Sequence, residues 1–80
     1  MKRVRVRYFA ALREQAGRAD ELISTDCETA GALYASLKAR HGFRIEPQHL
    51  RVAINDRFES MSVPLSPGDD VMFLPPVAGG

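Results

Sequence analysis

Cysteine occurs once in these 80 residues. Cys27 alone cannot close an internal disulfide, so nothing in the chain calls for an oxidising compartment. Long hydrophobic runs are also missing. No stretch is apolar enough to span a bilayer, the N-terminus lacks a signal-peptide hydrophobic region, and the cytoplasm is the expected location. Charge of one sign is scarce too: 11 basic residues against 10 acidic leave a net charge of +1. That balance argues against strong nonspecific affinity for nucleic acid or for an anionic membrane, although Lys2, Arg3, Arg5 and Arg7 crowd the start of the chain.

Catalytic signatures are equally thin. His41 and His49 lack the paired spacing of a metal site, and one cysteine cannot complete a zinc constellation, so no metal is expected. Ser24, Ser60, Ser62 and Cys27 have neither a nucleophile motif nor an identifiable base. Gly17 and Gly42 belong to no phosphate-cradling loop. Asp69 and Asp70 stand side by side in a turn region, where solvation and backbone hydrogen bonds account for them. By elimination, any chemistry lies at the C-terminus.

What is present describes one small folding unit. A hydrophobic share of 45% and a charged share of 26% suit a soluble globular chain that folds around a compact core, with little room for a large internal active site. Residues 3–10 alternate strictly, placing Val4, Val6, Tyr8 and Ala10 on one face of a half-buried strand. The opposite face carries Arg3, Arg5, Arg7 and Phe9. That Phe9 is either covered by the chain's own loops or part of a partner surface. Residues 12–16 read as a short turn ended by Gly17, and residues 19–25 as a second strand. From 29 to about 41, the spacing of Ala30, Leu33, Tyr34 and Leu37 predicts the main helix. Thr29 is its expected N-cap, Thr25 and Glu28 offer a competing capping box, and Gly42 is its expected terminator. Leu50-Arg51-Val52-Ala53-Ile54 predicts a third strand, with Asn55-Asp56 as a tight hairpin turn and a return strand running from residue 57 or 58 towards 63. Ser66-Pro67-Gly68-Asp69 reads as a type II turn into a last strand over residues 71–74. A single main helix covers one face of such a sheet and leaves the other partly open to a partner. The expected core includes Val4, Val6, Leu33, Leu37, Val52 and Ile54.

The last ten residues are Val71-Met72-Phe73-Leu74-Pro75-Pro76-Val77-Ala78-Gly79-Gly80. Pro75 and Pro76 lack the N–H needed to extend a sheet ladder, so the chain must leave the sheet there. In extended geometry, residues 75–80 reach roughly 20 Å, at about 3.1 to 3.6 Å per residue. Gly79 and Gly80 carry no Cβ, so they can thread a channel too narrow for side chains and leave a terminal carbonyl open to attack. The competing expectation is a frayed terminus with no role.

Together these residues resemble the ubiquitin-like β-grasp sulfur carriers, and within them the small subunits of molybdopterin synthase. The resemblance spans nearly the whole chain. It rests on Tyr8-Phe9-Ala10, Leu12-Arg13-Glu14 with Gly17, and Val52-Ala53-Ile54-Asn55. It closes on Pro64-Leu65, Gly68-Asp69-Asp70-Val71 and the run from Phe73-Leu74-Pro75-Pro76 to Val77-Ala78-Gly79-Gly80. Thiamine sulfur carriers share the Val-Ala-Gly-Gly ending but are usually shorter and do not typically carry the Pro-Pro unit or the opening motif. The resemblance implies an α+β, ubiquitin-like β-grasp fold: a mixed four- to five-stranded sheet with one main helix packed on one face, formed by residues 1–74, with residues 75–80 as an extended tail. It implies that the Gly80 carboxylate is adenylated by an E1-like enzyme at the expense of ATP and converted to a thiocarboxylate by a persulfide sulfur donor. The tail, Pro75, Pro76, Val77, Ala78, Gly79 and Gly80, then enters the large synthase subunit and gives its sulfur to cyclic pyranopterin monophosphate. On this reading the chain binds no cofactor, is no enzyme by itself, and meets its partners through Phe9, Phe58 and Leu74. Carriers for thiamine or tRNA thiolation, and ubiquitin-like protein modifiers, share the tail and remain alternatives.

Overall fold

The computed structural model describes residues 1–76. Strand β1 (Lys2–Tyr8) leads through a short helix α1 (Ala11–Ala16) to β2 (Asp20–Thr25) and then to the main helix α2 (Ala30–His41). A 3₁₀ turn (Pro47–His49) precedes β3 (Arg51–Ile54), β4 (Arg57–Glu59) and β5 (Asp70–Leu74). The five strands form one mixed sheet in the order β2-β1-β5-β3-β4. β5 runs parallel to β1 and antiparallel to β3, so the last strand of the chain is the middle strand of the sheet. This is the β-grasp arrangement expected from the sequence.

Alternation sets the two faces. Val4, Val6 and Tyr8 of β1, Ile23 of β2, Val52 and Ile54 of β3, and Val71 and Phe73 of β5 are buried beneath α2, which contributes Ala30, Leu33, Tyr34 and Leu37. All six expected core residues lie in this set. Four aromatic rings interlock at the C-terminal end of β5. Tyr34 lies 5.2 Å from Phe73 and stacks on Phe43 at 5.8 Å, and Phe43 meets Tyr8 edge-on at 5.5 Å. Such pairs add to the area they bury, by about 0.5–1.5 kcal/mol each. The Tyr34 hydroxyl donates to the Ile45 carbonyl at 2.6 Å, and burial, then the charge of Glu46, pushes it up to about 12.

The connections follow the expected turn chemistry, with four differences. Asn55 and Asp56 have φ of 52° and 71°, the doubly left-handed turn that suits a two-residue hairpin. Gly68 has φ 86°, and Asp69 N–H donates to Ser66 C=O, which closes the type II turn. Thr29 caps α2 by accepting from Ala32 N–H at 3.1 Å. The competing box fails because Thr25 belongs to β2 and its hydroxyl accepts from Cys27 N–H instead. Residues 11–16 are helical rather than a bare turn. β1 ends at Tyr8, so Ala10 does not continue the buried face: it is exposed, with φ 50°. The return strand β4 stops at Glu59, because the chain turns at residues 60–62 to cover the start of α2. There Met61 and Val63 carbonyls accept from Gly31 and Ala30 N–H, two donors that no helical carbonyl can reach. A Cβ on Gly31 would lie 3.0 Å from the Met61 oxygen, a close approach that explains glycine inside a helix.

One carboxylate sits among these packed rings. Glu21 is 6% exposed; it accepts from the Tyr8 hydroxyl at 2.5 Å and from His41 Nε2 at 2.9 Å. Arg18 and Arg40 approach its second oxygen at 3.6 and 4.0 Å. Burial pushes Glu21 up, but the hydrogen bonds from Tyr8 and His41 and the charges of His41 and Arg40 outweigh it, so the group titrates below the usual carboxylate range. A lowered native pKa stabilises the fold above the unfolded-state value and is lost as pH falls through the native one. Tyr8→Phe should therefore lower stability near neutrality by roughly 1.5–3 kcal/mol, the worth of a hydrogen bond to a charged group, and by less in strong acid. Urea unfolding at both pH values checks this; an equal loss at both would show that the hydroxyl acts other than through the Glu21 charge.

Candidate functional site

Phe73 is fully buried between Tyr8 of β1 and Val52 of β3, its register partners on either side. The next residue, Leu74, pairs with Arg51 and is the last in the ladder. Pro75 and Pro76 follow outside the strand, as their missing N–H groups require. The tail thus departs from the middle of the sheet, from a strand held on both edges. Val77, Ala78, Gly79 and Gly80 lie outside the described residues.

Two depressions flank Leu74, Pro75 and Pro76. One, of about 470 Å³, is walled by Phe9, Ala10 and Ala11 on the β1–α1 side and by Ile45, with Glu14 at its margin. The other, of about 430 Å³, is walled by His49, Arg51 and Phe58 on the β3–β4 side. Leu74 is shared by both, and Phe9 and Phe58 stand on opposite sides of it. Phe58 is 61% exposed, a large aromatic mostly open to solvent. Its place on the outer face follows from register: it pairs with Ala53, which pairs with Met72 of β5, so small Ala53 sits shielded between the two larger side chains. Phe9 is half-buried just beyond the end of β1. Sequence reasoning singled out Phe9, Phe58 and Leu74 but missed Ile45, His49 and Arg51. For Arg51 a signal existed, since alternation with Val52 puts it on the face that carries Phe58. Ile45 and His49 lie in irregular chain with no such pattern.

The rest of the outer face mixes ion pairs with two apolar residues, Met72 of β5 and the exposed Leu22 of β2. Arg5 pairs with Asp20 and Arg7 with Asp70, each at 2.9 Å, so two of the crowded N-terminal arginines are matched within the sheet. Asp69 serves structure: its oxygens accept from Asn55 Nδ2 at 3.0 Å and Ser66 N–H at 2.7 Å, tying the hairpin turn to the turn that starts β5. Among the described residues no group of His, Cys, Asp or Glu is arranged to hold a metal ion, and no helix is long and apolar enough to cross a membrane. The arrangement can present a chain end to another molecule, with apolar surface on both sides of its root.

Three comparisons agree with this geometry. The chain is 35% identical to the molybdopterin synthase sulfur carrier subunit of Escherichia coli K12, over 96% of its own length and 99% of that protein. The solution structure of the HVO 2177 protein of Haloferax volcanii is 33% identical, with a TM-score of 0.79 over 99% of this chain and 87% of that one. A chain of the protein–protein complex of subunits 1 and 2 of the molybdopterin-converting factor of Helicobacter pylori 26695 is matched at 28% identity, with a TM-score of 0.66 over 98% of this chain and 99% of that one. The family described as the ThiS family is matched over residues 6–80, a span that takes in every strand but the first residues of β1, both helices and the Gly-Gly ending: the chain belongs to the ThiS family.

Proposed function

We propose that this protein is the sulfur carrier subunit of a molybdopterin synthase, a consumable donor and not a catalyst in its own right. The observation that carries the reading is the exit of the tail: Leu74-Pro75-Pro76 leaves the central strand between two apolar depressions and leads towards Gly79-Gly80. The full-length likeness to the sulfur carrier subunit of Escherichia coli and to a chain of the complex of subunits 1 and 2 of a molybdopterin-converting factor supports it. Residues 1–74 act as the body and residues 75–80 as the reaching arm.

A carboxylate is a poor electrophile, since attack would have to expel an oxide. An E1-like enzyme removes that obstacle: a Gly80 carboxylate oxygen attacks the α-phosphorus of ATP, pyrophosphate leaves, and the resulting mixed anhydride has AMP as a good leaving group. The outer sulfur of a persulfide donor displaces AMP to give an acyl disulfide, and a second thiol cleaves that S–S bond, leaving the chain end as a thiocarboxylate and the donor oxidised to a disulfide. In the large subunit the arm brings this sulfur to cyclic pyranopterin monophosphate, two carriers supplying the two dithiolene sulfurs. The chain binds no cofactor; ATP belongs to the activating enzyme, and all of these steps fit a cytoplasmic setting. Gly79 and Gly80 pass where a side chain would not, while Phe9, Phe58 and Leu74 seat the body against the partner so that the arm starts in register.

Three tail variants test the chemistry. One residue added after Gly80 should abolish sulfur transfer by turning the reactive carboxylate into an internal amide, deletion of Gly80 should do so by shortening the arm, and Gly79→Val should do so through bulk and a restricted backbone. The melting temperature should stay nearly unchanged in each, because the ladder ends at Leu74. Mass spectrometry after incubation with activating enzyme, ATP and a sulfur donor reads the oxygen-for-sulfur exchange, and an extended, untrimmed chain that still delivers sulfur at full rate rules the carrier reading out.

The seat is tested separately. Phe58→Ala removes a ring that packs little of the fold, so it should cost no more than about 1 kcal/mol of stability while weakening the complex with the large subunit by roughly tenfold or more, as loss of an interface anchor does. Phe9→Ala should also weaken binding beyond its effect on stability. Calorimetric titration beside thermal unfolding distinguishes the two effects; parallel losses in both measurements would make these rings parts of the core and nothing else.

A further inference from the structure

The depression on the β3–β4 side of the tail is walled by a cationic side chain, Arg51, with no acidic partner among the described residues. Arg51 stands directly opposite Leu74, the last residue of the ladder, which fixes its charge one strand away from the root of the arm. Its guanidinium carbon lies 4.2 Å from the centre of the Phe58 ring. The two residues are diagonal neighbours across β3 and β4, since Phe58 pairs with Ala53, and such diagonals are within reach of long side chains. A cation over a ring face uses none of the guanidinium N–H groups as conventional hydrogen-bond donors. Among the described residues no carboxylate lies within ion-pair distance of Arg51, and its side chain donates no hydrogen bond. Arg5 and Arg7, also on the outer face, both have acidic partners. The nearest acidic strand residue in register, Glu59, pairs with Val52 and so points to the other face.

The two sides of the arm therefore differ in charge. The Phe9 side has Glu14 at its margin, whereas the Phe58 side has Arg51 and His49 and no acidic residue in its wall. An aromatic ring with an arginine edge at its rim matches a carboxylate set beside an apolar surface, because the planar fork of arginine donates to both carboxylate oxygens at once. We propose that Arg51, held by Phe58, is a specificity-determining residue for the protein that receives the tail, and that it pairs with an acidic side chain, Asp or Glu, on the large synthase subunit. The inference rests on the carrier reading above and assigns one charge and one side of the arm to that complex. Docking drives water from the depression, which strengthens both the stacking and the ion pair.

The test uses the full chain and its cognate large subunit. Arg51→Met keeps a long apolar side chain over Phe58 but removes the charge; Arg51→Glu reverses it. Affinity measured at about 0.05 M and about 0.5 M salt should fall roughly tenfold for Arg51→Met and more for Arg51→Glu at the lower salt, with the difference from wild type narrowing at the higher. Melting temperatures should stay close to wild type, since the side chain is at the surface. Wild-type affinity in Arg51→Glu overturns the proposal, as does a loss that is independent of salt. So does an effect confined to adenylation by the activating enzyme, which would give Arg51 to a different complex. In those cases the carrier reading survives. A wild-type chain that neither binds the large subunit nor accepts sulfur refutes that reading and the proposal with it.

Discussion

The structure depends on the placement of β5. A strand with partners on both edges has all its ladder hydrogen bonds within the sheet, and its inward side chains, Val71 and Phe73, are fully enclosed. Every contact that matters for the tail is tied to that strand. Tyr34 of α2 packs on Phe73, Phe43 stacks on Tyr34, Tyr8 meets Phe43, and the Tyr8 hydroxyl reaches the buried Glu21. These links join the helix, the first strand, the second strand and the last into one unit beneath the point where the chain leaves the sheet. For a chain of 80 residues, which encloses a small core, concentrating its large rings there anchors the strand from which the arm departs.

Much of this was legible in the sequence because the periodicities are clean. The 2.0 repeat of β1 and the 3.6 repeat of α2 selected buried residues correctly, and the turns at Asn55-Asp56 and Gly68 carry residue types whose backbone preferences leave few alternatives. The differences fall where local rules compete with tertiary contacts. Ala10 continues the alternation of β1 on paper, yet the chain turns at Phe9 to start α1. Residues 60–63 look able to extend β4, but their carbonyls are drawn to the open N-terminus of α2. The Glu21 cluster was invisible: Tyr8, Glu21 and His41 are brought together by the packing of three elements, and no spacing in the chain records that.

At the candidate site the same division holds. Phe9, Phe58 and Leu74 stood out as apolar residues in places where alternation predicts exposure or where the chain must leave the sheet. Their grouping around Pro75 and Pro76 comes from sheet order, which puts β1 and β3 on either side of β5 although they are far apart in sequence. Arg51 could be assigned to a face but not to Phe58, because the diagonal contact needs the exact register of a three-residue strand.

Stability and reactivity are separated along the chain in consequence. The aromatic cluster and the Asp69 clamp hold residues that end at Leu74, whereas a carrier's chemistry needs an end that packs against nothing of its own and can be accepted by more than one active site in turn. A tail fixed to the body would hinder that transfer, and a tail attached to a fraying edge strand would start from an uncertain place. Emerging from a central strand meets the second demand by giving the tail a fixed starting place, with diproline stiffening the first step outward. The body then has one further task, to identify the molecule the arm should enter. An exposed ring and an arginine with no acidic partner among the described residues, both beside the root of the arm, are suited to it, because apolar contact supplies affinity, while a fixed charge penalises any partner that presents the wrong sign.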